Sequence, residues 1–258
     1  MFHVKQRRGD AGEEPRETLG KMPEEKLQRY AELIERYHDT LDLVSFRALS
    51  EVRTLIDEAR QYAEVIAEAA GPDVTVVDLG SGVGLPGIVL AVMMPAATVH
   101  LVERRRRRAA FLSMAAGQLS LDNARVWSGD VRDLEGVCAH VVTAQAVTTF
   151  AGIARLTRHL HRDPCFLVSR RGPDWLGELD ELRGVLAGGP DVSGGAAAAQ
   201  GGAVIGPDLA PHGELSPGRP VPAQDAPALT VVTERRLGRD GSLVALRLRG
   251  GPACPSSG

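Results

Sequence analysis

From Pro23 onward, Leu27, Tyr30, Leu33, Ile34, Tyr37 and Leu41 recur three or four residues apart, which predicts a helix with one apolar face. A second helix is expected from about Ser50, with Val52, Leu55, Ile56 and Ala59 on its inner side, ended by Gly71-Pro72. The pattern then changes period. Short, continuous apolar runs at 74–79, 98–103, 123–129, 139–144 and 165–170 alternate with helical stretches, one after Gly84 and one through Phe111 and Leu112. Strands apolar on both faces belong to a parallel sheet covered by helices on both sides. The expected fold is therefore a doubly wound, Rossmann-like α/β sheet with an N-terminal helical extension.

The end of the chain departs from that alternation. From Gly184 the composition falls to Gly, Ala and Pro, including the run GGAAAAQGGA. After it, ALTVVTERRL and SLVALRLR flank GRDG, a hairpin signal that predicts a final antiparallel pair. The resulting division is a flexible N-terminus at 1–21, N-terminal helices at 22–70, and a core at 71–183. A low-complexity insertion at 184–225, the hairpin at 226–249 and a tail at 250–258 complete it.

Composition narrows the setting. The 258 residues are 43% hydrophobic, enough for a sizeable core, and the formal net charge is −3. A chain that is not a polycation would meet nucleic acid through a local patch. Cys138, Cys165 and Cys254 are scattered, odd in number and spaced for neither a disulfide framework nor zinc, which suits a reducing compartment. No run of about 18 apolar residues is present, and MFHVKQRRGD is not followed by the apolar segment of a secretory signal. The expectation is a cytoplasmic monomer without membrane contact. His159, His161 and Asp163 are the nearest approach to a metal site, and with no third well-spaced ligand they read as surface residues, so no metal is expected.

The chemistry concentrates in VVDLGSGVGLPG, 76–87. Glycines at alternate positions between a strand and a helix expose backbone for close approach to a ligand. A phosphate loop would need Gly-Lys-Ser/Thr where Gly84-Leu85-Pro86 stands. Gly82 to Gly87 does satisfy G-x-G-x-x-G, which keeps a nicotinamide dinucleotide open. Asp78, two residues before the first glycine, would repel a pyrophosphate but suits a cationic ligand. Glu103 closes the next strand, where an acid can accept from ribose hydroxyls. Five consecutive arginines, Arg104 to Arg108, follow at a helix start, where cations oppose the helix dipole and RNA phosphate is one compensating partner. The alternative is a solvated basic turn paired with Glu103 or Asp130. Arg170 and Arg171, at another strand end on the same rim, extend the patch. Trp127, Phe150 and Trp175 are candidates for base stacking and equally for the core.

Asp78, Gly80, Gly82, Gly84 and Glu103 together resemble the S-adenosylmethionine methyltransferases, whose sheet also ends in an antiparallel pair. More specifically, DLGSGVGLPGIVLAVMMPAATVHLVERRRRRAAFL, LDNARVWSGDVRDL and HVVTAQAV are similar to the bacterial 16S ribosomal RNA guanine-N7 methyltransferase G family, also called glucose-inhibited division protein B. The likeness covers about residues 25–185. It implies S-adenosylmethionine as cofactor and ribosomal RNA or the small-subunit particle as substrate. It also implies cofactor contacts from Gly80, Leu85, Val131, Arg132 and Gln145; the candidate RNA contacts, Arg104, Arg105, Arg107, Arg108, Arg170 and Arg171, come from the basic patch itself. No catalytic acid or base is assigned, because guanine N7 carries no proton.

The chain departs from the family pattern at several points. Gln145 stands where the family usually has arginine, and Arg171 where it has lysine. YHDTLDLVSF and LIDEARQY replace the N-terminal Trp-Asn, His and Asp-Ser elements. A catalytically weak RNA- or cofactor-binding paralogue is the alternative these losses raise, with a nicotinamide-dependent oxidoreductase behind it.

Overall fold

In the computed structural model, residues 16–41, 51–145, 147–187, 229–237 and 241–250 are described, with side chains at the N-terminus from Met22 to His38. Of the N-terminus expected to be flexible, 1–21, residues 1–15 lie outside the described residues and 16–21 instead belong to a helix; the greater part of the low-complexity insertion, residues 238–240 of the GRDG turn and the tail after Gly250 also lie outside them. Two helices, α1 (Arg16–Leu41) and α2 (Val52–Ala70), precede β1 (Thr75–Leu79), α3 (Gly87–Met93), β2 (Thr98–Glu103), α4 (Arg106–Gln118) and β3 (Ala124–Ser128). Then follow β4 (Ala139–Ala144), α5 (Phe150–Thr157), β5 (His161–Arg171), α6 (Glu178–Leu186), β6 (Leu229–Leu237) and β7 (Gly241–Leu248). The first helix starts at Arg16, seven residues before Pro23, so that proline lies inside it rather than at its head.

The seven strands stand in the order β3-β2-β1-β4-β5-β7-β6. β1 pairs in parallel with β2 and β4, as do β2 with β3 and β4 with β5, while β7 runs antiparallel to both β5 and β6. The predicted final antiparallel pair is present, inserted so that β7 joins the sheet and β6 forms its edge.

Successive residues of each strand face opposite layers, as a pleated strand requires. Val76, Val99, Leu101, Val141 and Val168 face one layer, formed with Tyr30 and Ile34 of α1, Ile56 and Ile66 of α2, and the apolar sides of α3 and α4. Val77, Leu79, Val102, Val142 and Leu167 face the other, with Phe150 and Ile153 of α5 and Leu179 and Leu182 of α6. Burying each of these larger aliphatic side chains contributes roughly 1.5–3 kcal/mol. The two N-terminal helices are thus part of the core and cover one face of the sheet. Arg60 of α2 holds Glu24 of α1 through both terminal nitrogens of its guanidinium.

Several residues sit otherwise than the sequence suggested. His161 is buried and its Nε2 is 2.8 Å from the Thr157 hydroxyl; desolvation pushes its pKa down to about 4. It is no surface histidine, because β5 begins four residues earlier than expected and carries it into the sheet. Cys138 is disulfide-bonded, against the expectation of unpaired thiols, whereas Cys165 is a free thiol that burial pushes up to about 12. Phe150 and Trp175 are buried and meet edge to face, so neither is available to stack on a base. Among the described residues, no group of three or more metal-ligating side chains is present and no helix is long and apolar enough to cross a membrane.

Candidate active site

The loop after β1 bends because three glycines adopt positive φ: Gly80 (69°), Gly82 (58°) and Gly84 (98°). Their roles differ. A Cβ on Gly82 would fit without a clash, in van der Waals contact with Gly80 O and an Arg108 nitrogen at 3.8 and 3.9 Å. At Gly80 it would meet Val147 Cγ2 at 2.9 Å. At Gly84 it would overlap Ile88 and press on Leu112 and Tyr30. Gly80 and Gly82 bare backbone toward solvent, and Gly84 bares it toward the core.

The loop is fastened from three sides. Asp78 is 1% exposed beneath it, accepting from the Thr143 hydroxyl at 2.8 Å and from the Gly87 amide at 3.2 Å. Desolvation pushes this carboxyl up to about 6, with the hydrogen bonds from Thr143 and Gly87 opposing. The Tyr30 hydroxyl of α1 donates to Val83 O at 2.7 Å. Glu103 accepts from the Gly82 amide at 3.0 Å and from the Arg105 amide at 2.7 Å, tying the loop to the head of α4.

In front of this loop a cleft of about 700 Å³ opens, lined by Gly80, Ser81, Gly82, Val83 and Leu85, and by Leu55 of α2. Its remaining walls are Arg108, Gln145, Val147, Arg170, Arg171, Gly172 and Glu178. The size lies within the roughly 300–1,000 Å³ of small-molecule sites. The position, at the carboxyl ends of β1, β4 and β5, is where open α/β sheets bind ligands.

Of the residues expected at the cofactor, Gly80, Gly82, Leu85 and Gln145 line the cleft. Asp78 and Gly84 do not: the first holds the loop from behind, and the second is packed into the core. Val131 and Arg132 are also not among the residues that line this cleft. Val131 is buried with the α5 and α6 layer, and Arg132 folds back on Asp130 with both guanidinium edges at 2.8–3.0 Å. Glu103 stands one layer behind the wall, its carboxylate against the Gly82 backbone.

The expected RNA contacts divide similarly. Arg104 to Arg107 are exposed at the head of α4, with Arg104 paired to Asp130 at 3.8 Å. Arg108, one turn on, lines the cleft. Arg170 pairs with Glu58 of α2 at 3.1 Å, and its amide donates to the Tyr62 hydroxyl. Arg171 lies over the Phe150 ring at 4.3 Å, donates to Thr148 O at 2.7 Å and is 3.8 Å from Glu178. Its Nε and Nη2 are buried with no partner among the described residues, and desolvation pulls its pKa down. Sequence reasoning missed Leu55, Val147 and Glu178. Leu55 looked like a core position of α2, and nothing in the local pattern of the other two marks a site that only the meeting of three strand ends creates.

A cleft built on a glycine loop, at the ends of a parallel sheet closed by an antiparallel β7, defines a Rossmann-like class I methyltransferase. Residues 23–186 match the model of the rRNA small subunit methyltransferase G family, GidB. The chain belongs to that family, the one its motifs resemble. The ribosomal RNA small subunit methyltransferase G of Neisseria meningitidis serogroup C (strain 053442) is 31% identical over 159 residues, covering 62% of this chain and 75% of its own length. The protein of the same description from Stenotrophomonas maltophilia (strain K279a) is 36% identical over 159 residues, covering 60% and 72%. Among solved structures, MtNAS in complex with MTA and tNA superposes with a TM-score of 0.49 at 15% identity, covering 89% of this chain and 70% of that one.

Proposed function

We propose that the protein transfers a methyl group from S-adenosylmethionine to N7 of a guanine in small-subunit (16S) ribosomal RNA. The observation that carries the reading is the cleft itself: bare backbone at Gly80 and Gly82, an acid behind it at Glu103, and arginines along the opposite rim. The residues suit the cofactor. Gly80 and Gly82 leave room for backbone contact with its methionine part, Leu85 and Gln145 flank that strip, and Glu103 keeps lone pairs for ribose hydroxyls at the end of β2. Arg104, Arg105, Arg107 and Arg108, with the half-exposed Arg170 across the cleft, supply cations for RNA phosphates although the whole chain is acidic, whereas Arg171 is buried in the cleft wall.

When bound, S-adenosylmethionine supplies an electrophilic methyl on a sulfonium, which the N7 lone pair can accept without loss of a proton. The chain's task is therefore alignment and exclusion of water. The carboxyl whose pKa is raised nearest the loop, Asp78, is sealed behind the backbone and serves the fold. That division fits a reaction with no general base. The replacement of the family's arginine by Gln145 affects positioning rather than proton transfer, so it removes no essential proton carrier. The test is methyl transfer from labelled S-adenosylmethionine to small-subunit RNA from cells lacking this gene, followed by nucleoside analysis. The expected product is N7-methylguanosine. Cofactor binding with no transfer to free RNA or to the assembled subunit would favour the inactive-paralogue reading.

A further inference from the structure

The wall of the cleft opposite the glycine loop carries a carboxylate, which is an odd group to set among RNA-facing arginines. Glu178, the first residue of α6, accepts from the Phe150 amide at 2.8 Å through Oε2. That oxygen also lies 3.8 Å from Arg171 Nη1. Oε1 has no partner among the described residues, and the side chain is 25% exposed toward the cleft it lines. One oxygen is thus fixed by a main-chain donor while the other has no such anchor among the described residues.

A phosphate would be repelled there. A base edge would not, provided that it offers donors. Among the four RNA bases only guanine presents two adjacent donors, N1–H and the N2 amino group, on its Watson–Crick edge. Adenine and cytosine place an acceptor beside their amino group, and uracil flanks its single N–H with two carbonyls. An unpaired guanine drawn into a pocket exposes that edge for reading. Position supports the match. The glycine loop follows β1 and Glu178 follows β5, two strands away, a separation of roughly 10 Å. N7 and the N1/N2 donors lie on different edges of the purine, the Hoogsteen and the Watson–Crick edge, so a guanine can offer N7 to the cofactor and its donors to the β5 side of the cleft at the same time.

We propose that Glu178 is a specificity residue that selects guanine by accepting from N1–H and the N2 amino group of the target base. The proposal rests on the guanine-N7 reading above. Phe150 N–H and Arg171 hold Oε2 in place while Oε1 accepts from both donors, and removing a specific base-edge contact of this kind costs of the order of 10- to 100-fold.

The test compares the full-length wild type with Glu178→Gln on 16S ribosomal RNA. Glutamine keeps an oxygen for the Phe150 amide but puts a donor where guanine needs an acceptor. The expected result is a 10- to 100-fold fall in kcat/KM for RNA, with the Kd for S-adenosylmethionine and the Tm unchanged. A purely structural cap on α5 predicts no loss of rate, and that outcome overturns the proposal. A parallel weakening of cofactor binding also overturns it, because it makes Glu178 a ligand of the cofactor's ammonium. A second arm uses a transcript with inosine, which lacks the N2 amino group, at the guanine methylated by the wild type. Wild type should lose about 5- to 10-fold on inosine and Glu178→Gln nothing further; equal losses contradict the assignment. If wild type methylates no RNA at all, the function reading itself has failed, an outcome distinct from either of these.

Discussion

The carboxylate of Glu103 and the amide of Gly82 are joined at 3.0 Å, so the acid that ends β2 holds the glycine loop that follows β1. The same carboxylate accepts from Arg105 N at the head of the arginine helix. One side chain therefore links the proposed cofactor strip to the proposed RNA patch. Replacing Glu103 with Ala removes both anchors and the ribose acceptor. We expect a loss of affinity for S-adenosylmethionine of at least 10-fold, since hydrogen bonds to a charged partner contribute about 1.5–3 kcal/mol each. Calorimetric titration checks this, and an unchanged Kd would remove Glu103 from the site.

Gly82 and Gly87 separate ligand space from packing. Gly82→Asp places a carboxylate in the open cleft beside Arg108; cofactor binding should be abolished while the Tm falls by only a few degrees. Gly87→Ala acts in the reverse manner. Its Cβ would overlap Leu101 and sit 2.5 Å from Asp78 Oδ2, which forces the α3 head off the sheet. A loss of about 1–3 kcal/mol in stability is expected from overpacking of this kind. Urea unfolding of the two variants beside cofactor titration distinguishes them, and normal binding by Gly82→Asp would refute the loop assignment.

Much of the fold is legible in the sequence because it is written locally. The strands at 98–103 and 139–144 are readable to the residue, since a parallel strand buried on both faces is an unbroken apolar run. The glycine loop is legible from its spacing. Direction is not: Asp78 and Gly84 carry the motif's residue types, but whether a side chain faces the ligand or the core depends on helices α1 and α3 packing behind the loop. The side chain of Arg132 is likewise set by a neighbour, as Asp130, close in sequence, captures it. Glu178 is invisible in the sequence because it reaches the cleft only through the pairing of β4 with β5.

The arginine run gives a salt-dependent prediction. Changing Arg105 and Arg107 to Gln should weaken RNA binding and lower the slope of log K against log salt by about one unit for each phosphate no longer neutralised. Affinity for S-adenosylmethionine should stay unchanged. An unaltered salt slope would identify the run as a solvated turn held by Asp130 and Glu103.

Two buried groups make opposite contributions to stability in acid. Asp78, raised to about 6, binds its proton more tightly folded than unfolded, so stability from this group falls as pH rises from about 4 to 6. His161, lowered to about 4, contributes stability that is present above its unfolded value near 6.5 and lost as pH falls through about 4. The two slopes oppose. Asp78→Asn removes the first and should make the protein lose more stability than wild type between pH 6.5 and 4.5. Urea midpoints at those two pH values measure the difference, and an identical or smaller loss would count against the buried, proton-binding Asp78.

The most direct test of the central claim is calorimetric titration of the purified protein with S-adenosylmethionine, with NAD as the control. Saturable binding of S-adenosylmethionine and none of NAD is the predicted result. Binding of NAD without S-adenosylmethionine would contradict the account and return the G-x-G-x-x-G loop to the dinucleotide enzymes.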